Sequence, residues 1–404
     1  MRVFTLARSL ALSTHRRSFT VLAFESSADD SCAAIVDHDR NILANVVIKQ
    51  DKLNESFGGI HPYVAIDQHQ ANLPIALRRA LDNAKMRVQD VDGIAFTRGP
   101  GMGGCLSVSM NAAKGLAAAL DKPIVGVHHM QAHALTPFLT LPAEQVPKFP
   151  FLTLLVSGGH TMILLARSRT KFLTLATTLD ESVGTALDKG ARALGLPPSG
   201  AALEQFAVQP TSDPEPLGLP PVPHQLAFSY CGPRSLLDKR VHALDMKYGG
   251  RDQSWTPLPN FPGAAVLSEG APLPKEVAPI SEEHRRALRE LAWVFQSACF
   301  AQIEEKVRLA LKLCNPVTGL VVSGGVASNM LLRERLQAAL QEDGGGIPLL
   351  CPPPHLCTDN AAMIAWASMH RFLAGHHDRF DLKLAPKWAL ETLEDEPGAF
   401  IDSQ

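Results

Sequence analysis

Several things are missing from this 404-residue chain, and each absence narrows what it can be. No two of its seven cysteines form a Cys-x-x-Cys pair, and they are scattered and odd in number. That argues against a disulfide framework or a thiolate metal site and for free thiols. No apolar run approaches the ~20 residues of a membrane-spanning helix. The longest, near Phe149 to Val156, is broken by Thr153 and reads as a buried strand, so no membrane insertion is expected. Net charge is almost absent at −2, so nucleic acid could be met only through a local basic surface. No Gly-Lys-Ser/Thr follows any glycine turn, which excludes a Walker A loop. Acids are missing from the start: the first carboxylate is Glu25, while Arg2, Arg8, Arg16 and Arg17 precede it among serines and threonines. With Arg2, Leu6 and Leu10 at four-residue spacing, residues 1–20 read as a mitochondrial transit peptide.

What is present suits a globular enzyme of two lobes: 46% hydrophobic and 19% charged residues over a length too great for one ordinary domain. Short apolar strands alternate with amphipathic helices, so the class is α/β. A strand-turn-strand unit runs from Thr20 to Ile48, and its first turn holds Asp29 and Asp30. Phe151 to Val156 ends in Ser157-Gly158-Gly159, and Leu320 to Val322 ends in Ser323-Gly324-Gly325. Glycines after buried strands let the backbone approach a phosphate. The echo suggests two lobes, 21–145 and 146–375, each turning a glycine-rich loop toward one cleft. Stretches 209–223 and 248–279 are Pro/Gly-rich insertions, and 376–404 is a tail.

The sharpest local signal is His129-Met130-Gln131-Ala132-His133. Histidines at i and i+4 share a helix face and can reach one metal ion. A zinc peptidase needs a glutamate directly after the first histidine, and Met130 cannot serve as that base. Asp359 stands where a loop enters an apolar helix. It reads either as a third ligand or as an ordinary N-cap. Asp188 lies mid-helix, either on an exposed face or poised to grip a ribose hydroxyl.

Taken together, VLAFESSADDSCAAIVD, TRGPGMGGCLSVSMNAAKGLA, GVHHMQAHAL, LLVSGGHTMILLA, LDKGARALGLP, LAFSYCGPRS, VVSGGVASNMLLRERL and CTDNAAMIAWA resemble the TsaD-type tRNA N6-adenosine threonylcarbamoyltransferases, once described as O-sialoglycoprotein endopeptidases. They occur in family order from Val21 to Ala367, and with the leader the chain looks like an organellar member. The resemblance implies an actin-like ATPase (ASKHA) fold. It implies one divalent ion, zinc or iron, on His129, His133 and Asp359. It implies threonylcarbamoyl-AMP lying along Leu155, Val156, Ser157, Gly158 and Gly159, with Asp188, Gly200, Ser328 and Asn329 as further contacts. Asp29 matches the family's acid after the first strand and is the candidate that orients or deprotonates the attacking amine. The acceptor would be the adenine at position 37 of a tRNA anticodon loop, and a homodimer is expected by analogy.

This chain departs from the family at Ala28 and Asp30, where Cys and Glu are usual, at Thr185, where many have Glu, and at Ser199-Gly200-Ala201, where Gly-Gly is usual. Arg98, Lys189, Arg192, Arg234, Lys239 and Arg240 are candidate tRNA contacts. Three rival readings are a small-molecule kinase on the same fold, a metallopeptidase and a non-enzymatic nucleotide-binding scaffold.

Overall fold

The computed structural model describes residues 18–57, 59–212, 214–218, 222–249, 281–343 and 345–395. Nearly all of the leader and most of the 248–279 insertion lie outside the described residues, as does part of 209–223.

The first unit comprises β1 (Thr20–Glu25), β2 (Ser31–Asp37), β3 (Ile42–Ile48), α1 (Asp51–Phe57), α2 (Pro62–Ala84), β4 (Gly93–Gly99), α3 (Gly103–Leu120), β5 (Ile124–His128) and α4 (His129–Thr140). The second comprises β6 (Phe151–Val156), β7 (Thr161–Ala166), β8 (Phe172–Thr178), α5 (Val183–Ala193), α6 (Gly200–Phe206), β9 (Ala227–Phe228), α7 (Cys231–Tyr248), α8 (Glu282–Cys314), β10 (Leu320–Ser323), α9 (Met330–Glu342), β11 (Leu349–Leu350), α10 (Pro354–Cys357) and α11 (Ala361–Leu373).

The sheet orders are β3-β2-β1-β4-β5 and, read in the same sense, β9-β8-β7-β6-β10-β11. In each, an antiparallel three-strand meander is extended by two parallel strands, with β9 added at the edge of the second. This is the duplicated α/β order of the actin-like ATPase fold.

Strand β1 shows why a short apolar run can be central. All six of its residues are buried, yet successive side chains enter different cores. Val21 and Ala23 pack with α4 and α11, while Leu22 and Phe24 pack with α2 and α3. Strand β6 repeats the scheme: Leu152, Leu154 and Val156 join the main core of the second unit, with Phe151 and Leu155 on the other face.

Two features differ from the sequence expectation. Helix α11, assigned by chain order to the second lobe, packs on the first sheet through Ala361, Ile364, Ala365 and Met369. Its faces are apolar and the second sheet is already covered by α5 and α8, so the chain returns to close the first core. The two Ser-Gly-Gly turns do not belong to separate lobes either: β6 and β10 are parallel neighbours in one sheet. The counterpart of Ser157-Gly158-Gly159 in the first lobe is the Ser26–Asp30 turn between β1 and β2.

Helix α4 runs between the sheets. Ala132, Leu135 and Leu139 face the first core, and Met130 and Ala134 join the cluster of Phe151 and Leu155 from the second. The helix is buried on nearly every side, so its polar residues His129, Gln131, His133 and Thr136 are buried along with its apolar ones and need partners inside the protein. Met130 is therefore a core residue and no part of a peptidase site.

The C-terminal tail crosses from one unit to the other. Asp378 accepts from Gly126 N at 2.8 Å and pairs with Arg371. Ala385 N donates to Arg98 O, Leu390 and Leu393 enter the core beside β6, and Glu391 accepts from Thr174 N at 3.1 Å.

Candidate metal and nucleotide site

The site begins with the end of β1. The turn after it is tied down from three sides. Ser26 Oγ donates to Cys105 O at 2.8 Å, and Met102 N donates to Ser27 O at 2.8 Å. From α2, His69 bridges Ser31 Oγ (2.8 Å) and Ala28 O (3.0 Å), clasping both ends of the Ala28–Ser31 turn. Gly101 must be glycine: its φ is +156°, and an added Cβ would lie 2.7 Å from Ser27 O. This fixed turn presents Asp29 and Asp30. Asn54 donates to Asp29 Oδ2 at 2.6 Å.

Helix α4 brings the histidines to the same place. Its first turn is capped by His128, whose Nδ1 accepts from Met130 N at 3.1 Å while Nε2 bonds the Trp388 carbonyl at 3.1 Å. Burial holds His128 neutral, its pKa pushed down to about 3. His129 and His133 follow on one face, with side chains only 5% and 3% exposed.

Their Nε2 atoms converge on Asp359 Oδ1, at 3.5 Å from His129 and 3.0 Å from His133. Asp359 does not cap α11. Asn360 does, accepting from Met363 N at 3.1 Å, so the cap reading of Asp359 is overturned and its carboxylate is left for the histidines. The three ligand atoms lie within 4.8 Å of one another. Two imidazoles with Nδ1 engaged elsewhere and Nε2 aimed inward, plus one carboxylate, are a donor set that suits a divalent transition metal.

Electrostatics support the same convergence. Burial opposes a charge on His129, but Glu25 and Asp359 outweigh it and raise its pKa to about 10. Burial likewise opposes ionisation of Asp359, yet the two histidines hold it well below the usual carboxylate range. Glu25 and Asp359 therefore favour a positive charge between them, whether a proton or a metal ion. His160, in the turn after β6, is pushed down to about 4 by burial and by His129.

The acids of the β1–β2 turn shift the other way. Burial and then Asp359 raise Asp29, while burial, Asp29 and Asp359 push Asp30 up to about 8. Asp188 is pushed up to about 6 by burial, with Asp29 adding to the rise. Asp29 therefore lies within electrostatic reach of both Asp359 and Asp188.

Beside this centre, the proposed nucleotide residues line the C-terminal edge of the second sheet. The Ser157–His160 turn is closed by Ser157 N to His160 O at 2.8 Å and His160 N to Ser157 Oγ at 3.0 Å. Gly158 O accepts from Ser182 Oγ (2.5 Å) and Thr185 Oγ1 (2.7 Å), so the start of α5 is sewn to the turn. A Cβ added at either Gly158 or Gly159 would meet nothing within 4 Å. One turn along α5, Asp188 Oδ1 accepts from Gly200 N at 2.8 Å, and Glu204 of α6 accepts from Met330 N at 2.9 Å. These bonds form a continuous wall from Gly158 to the start of α9.

The expected residues fall into two groups. Ser157, Gly158, Gly159, Asp188, Gly200 and Ser328 stand along this wall. Leu155 and Val156 are 2% and 0% exposed, so their side chains belong to the core beneath it. Asn329 is 5% exposed and occupied on both polar atoms: Oδ1 accepts from Leu332 N at 3.1 Å and Nδ2 donates to Gln296 at 3.0 Å. Several candidate tRNA contacts are tied up within the protein. Lys189 and Arg234 pair with Glu181, Arg240 donates to Glu215 O and Pro216 O, and Arg98 lies over the Trp388 ring at 4.6 Å.

Sequence reasoning passed over Glu25, which is fully buried and bonded to His129 Nδ1 at 3.1 Å. The signal was available: a lone carboxylate closes an otherwise apolar strand. It read Ser323 only as the start of a glycine turn and not as the partner of His133, whose Nδ1 lies 3.3 Å from its Oγ, and it passed over Asn360 and Trp388.

All seven cysteines are free, as their spacing suggested. Among the described residues no helix is long and apolar enough to cross a membrane.

Residues 41–366 match the family model of TsaD, tRNA N6-adenosine threonylcarbamoyltransferase. The chain is 41% identical over 374 residues to the tRNA N6-adenosine threonylcarbamoyltransferase of Paracoccus denitrificans (strain Pd 1222), covering 92% of this chain and 94% of that one. It is 33% identical over 390 residues to the Arabidopsis thaliana protein named "Probable tRNA N6-adenosine threonylcarbamoyltransferase, mitochondrial", covering 92% of this chain and 75% of the relative. Among solved structures, component A of the (R)-2-hydroxyglutaryl-CoA dehydratase of Acidaminococcus fermentans aligns at 13% identity with a TM-score of 0.49, over 86% of this chain and 96% of its own. With its matching segments carried on this histidine-aspartate centre and glycine-turn wall, the chain belongs to the TsaD family of tRNA N6-adenosine threonylcarbamoyltransferases.

Proposed function

We propose that this chain transfers the threonylcarbamoyl group of threonylcarbamoyl-AMP to N6 of adenine 37 in mitochondrial tRNAs that read codons beginning with adenine. The observation that carries the reading is the contact between the two halves of the site. His133 of the metal cluster bonds Ser323, the first residue of a glycine turn on the sheet edge that also holds Ser157-Gly158-Gly159.

In this reading the open turn at Ser157, Gly158 and Gly159 presents backbone N–H groups to the adenylate phosphate. Asp188, with Oδ2 free of the Gly200 bond, accepts from a ribose hydroxyl. Gly200 and Ser328 border the nucleoside, and Asn329 acts through its backbone because its side chain is committed. A divalent ion on His129, His133 and Asp359, zinc or iron, would supply Lewis acidity toward the threonylcarbamoyl group.

The adenine amine attacks the carbonyl carbon of the mixed anhydride, the bond to the phosphate oxygen breaks, and the amine gives up one proton. Asp29, held by Asn54, orients the amine or takes that proton. Because the donor arrives activated, positioning contributes most of the acceleration. The adenine must be splayed from its loop to reach the cleft. The acid-free basic leader and the Arabidopsis relative's printed name support a mitochondrial address.

The test is nucleoside mass spectrometry of mitochondrial and cytosolic tRNA from cells lacking the protein. Loss of threonylcarbamoyladenosine from mitochondrial tRNA alone is the expected result. Unchanged levels in both pools would overturn the tRNA assignment and favour a kinase or scaffold.

A further inference from the structure

We infer that Glu25 and Ser323 are positioning residues of the metal centre. Each holds the Nδ1 of one histidine, so that both Nε2 atoms face the ion, and the two act from opposite sheets. The inference rests on the reading of His129, His133 and Asp359 as metal ligands.

An imidazole can bind a metal through either nitrogen, and the hydrogen bond made by one nitrogen decides which is left for the ion. Glu25 Oε2 lies 3.1 Å from His129 Nδ1. An ionised carboxylate only accepts, so Nδ1 must carry the proton, and in the metal-bound ring the lone pair is then on Nε2. Glu25 cannot swing away. Its Oε1 accepts from Ser27 N at 2.5 Å, its Oε2 also accepts from Thr97 Oγ1, and the side chain is 1% exposed. No solvent competes for the bond.

His133 has a different partner. Its Nδ1 lies 3.3 Å from the hydroxyl of fully buried Ser323. A hydroxyl can accept or donate, so this bond selects the tautomer less strongly than a carboxylate does. The ion would thus be held by one strongly and one weakly oriented imidazole.

The origins of the two partners matter as much as their chemistry. Glu25 ends β1 in the first sheet, and Ser323 ends β10 in the second. Helix α4 lies between with both histidines on one face. The orientation of the ligand pair therefore depends on the spacing of the two sheets. Ser323 also opens the turn whose Gly324 abuts Val156 at the end of β6. A shift of that turn on the nucleotide side would be transmitted to His133.

The experiment is equilibrium zinc binding to the full chain, by competition with a fluorescent chelator, for wild type, Glu25→Gln, Thr97→Val and Ser323→Ala. Histidine 15N NMR of the zinc-loaded proteins is recorded alongside. Glu25→Gln is expected to weaken zinc binding by roughly 10–100-fold, the usual effect of removing a partner that orients a ligand. Its His129 resonances should report mixed Nδ1 and Nε2 ligation, which a merely structural loss would not produce. Ser323→Ala is expected to weaken binding less and to disturb only His133. Thr97→Val, which frees Glu25 without removing it, should fall between Glu25→Gln and wild type. Should Glu25→Gln fail to fold, the other two variants decide on the same readouts. Zinc bound by wild type and variants with equal affinity and unchanged histidine signals overturns the inference. No zinc binding by wild type overturns the metal reading itself, and this inference with it.

Discussion

His133 Nε2 and Asp359 Oδ1 lie 3.0 Å apart across 226 residues of chain, at the meeting point of a helix wedged between the sheets and the loop that leads into α11. Asp359 can serve the histidine because the adjoining Asn360 caps the helix instead. These neighbouring residues therefore have separable roles.

Asp359→Ala should lower threonylcarbamoyl transfer by more than about 100-fold. Asn360→Ala should act on stability instead. It removes a cap and the bond to Thr358 O at 2.8 Å, costs about 1–2 kcal/mol of stability, and keeps most of the transfer. Equal effects of the two changes on activity would contradict the division.

The two glycine turns respond differently to a methyl group. Gly324 has φ +100°, and an added Cβ would be driven into the Val156 carbonyl, so Gly324→Ala should cost about 1–3 kcal/mol in urea unfolding. Gly158 has open space around it, so Gly158→Ala should leave stability unchanged and raise KM for the adenylate, read by steady-state kinetics. A KM unaffected by Gly158→Ala would count against that turn as the phosphate site.

Asp30 makes stability depend on pH in a predictable sense. Its folded pKa is raised to about 8 from an ordinary 3.8, by burial and then by Asp29 and Asp359. A raised carboxyl contributes stability that is complete below pH 3.8 and is lost as pH climbs through 8. Asp30→Asn keeps the neutral shape and escapes the loss. Its stability relative to wild type should rise by about 1.4 kcal/mol per pH unit between roughly pH 4 and 8. Urea unfolding at pH 5 and pH 8 measures the difference; a constant offset would show that Asp30 ionises normally in the folded chain.

The tail is anchored by Asp378, which accepts from Arg371 Nη2 and Gly126 N at 2.8 Å each. Arg371 is 13% exposed in its side chain, so Asp378→Ala strands a largely buried guanidinium and should cost about 3–5 kcal/mol. Differential scanning calorimetry of the full chain checks this. A loss below about 1 kcal/mol would mean that the strap is held by its apolar residues alone.

Local pattern carried the sequence reading a long way. Six-residue apolar strands, glycines directly after them and paired histidines at helical spacing all act within a few residues, so they are visible in one dimension. On this chain they sufficed for the α/β class, the Ser157-Gly158-Gly159 turn and the His129–His133 face. Asp359 was ambiguous because a helix cap and a metal ligand call for the same residue type at the same place; the geometry of Asn360 removed the cap reading.

What the sequence determined by itself is the set of elements and the reactive groups each carries, because hydrophobic period and turn chemistry are local. Only the tertiary structure decided their company. It placed both Ser-Gly-Gly turns on one sheet, returned α11 to the first core, gave Met130 to packing, and set Glu25 and Ser323 behind the two histidines. Those choices depend on which buried faces and polar groups find partners across more than a hundred residues, and no spacing within a segment encodes that.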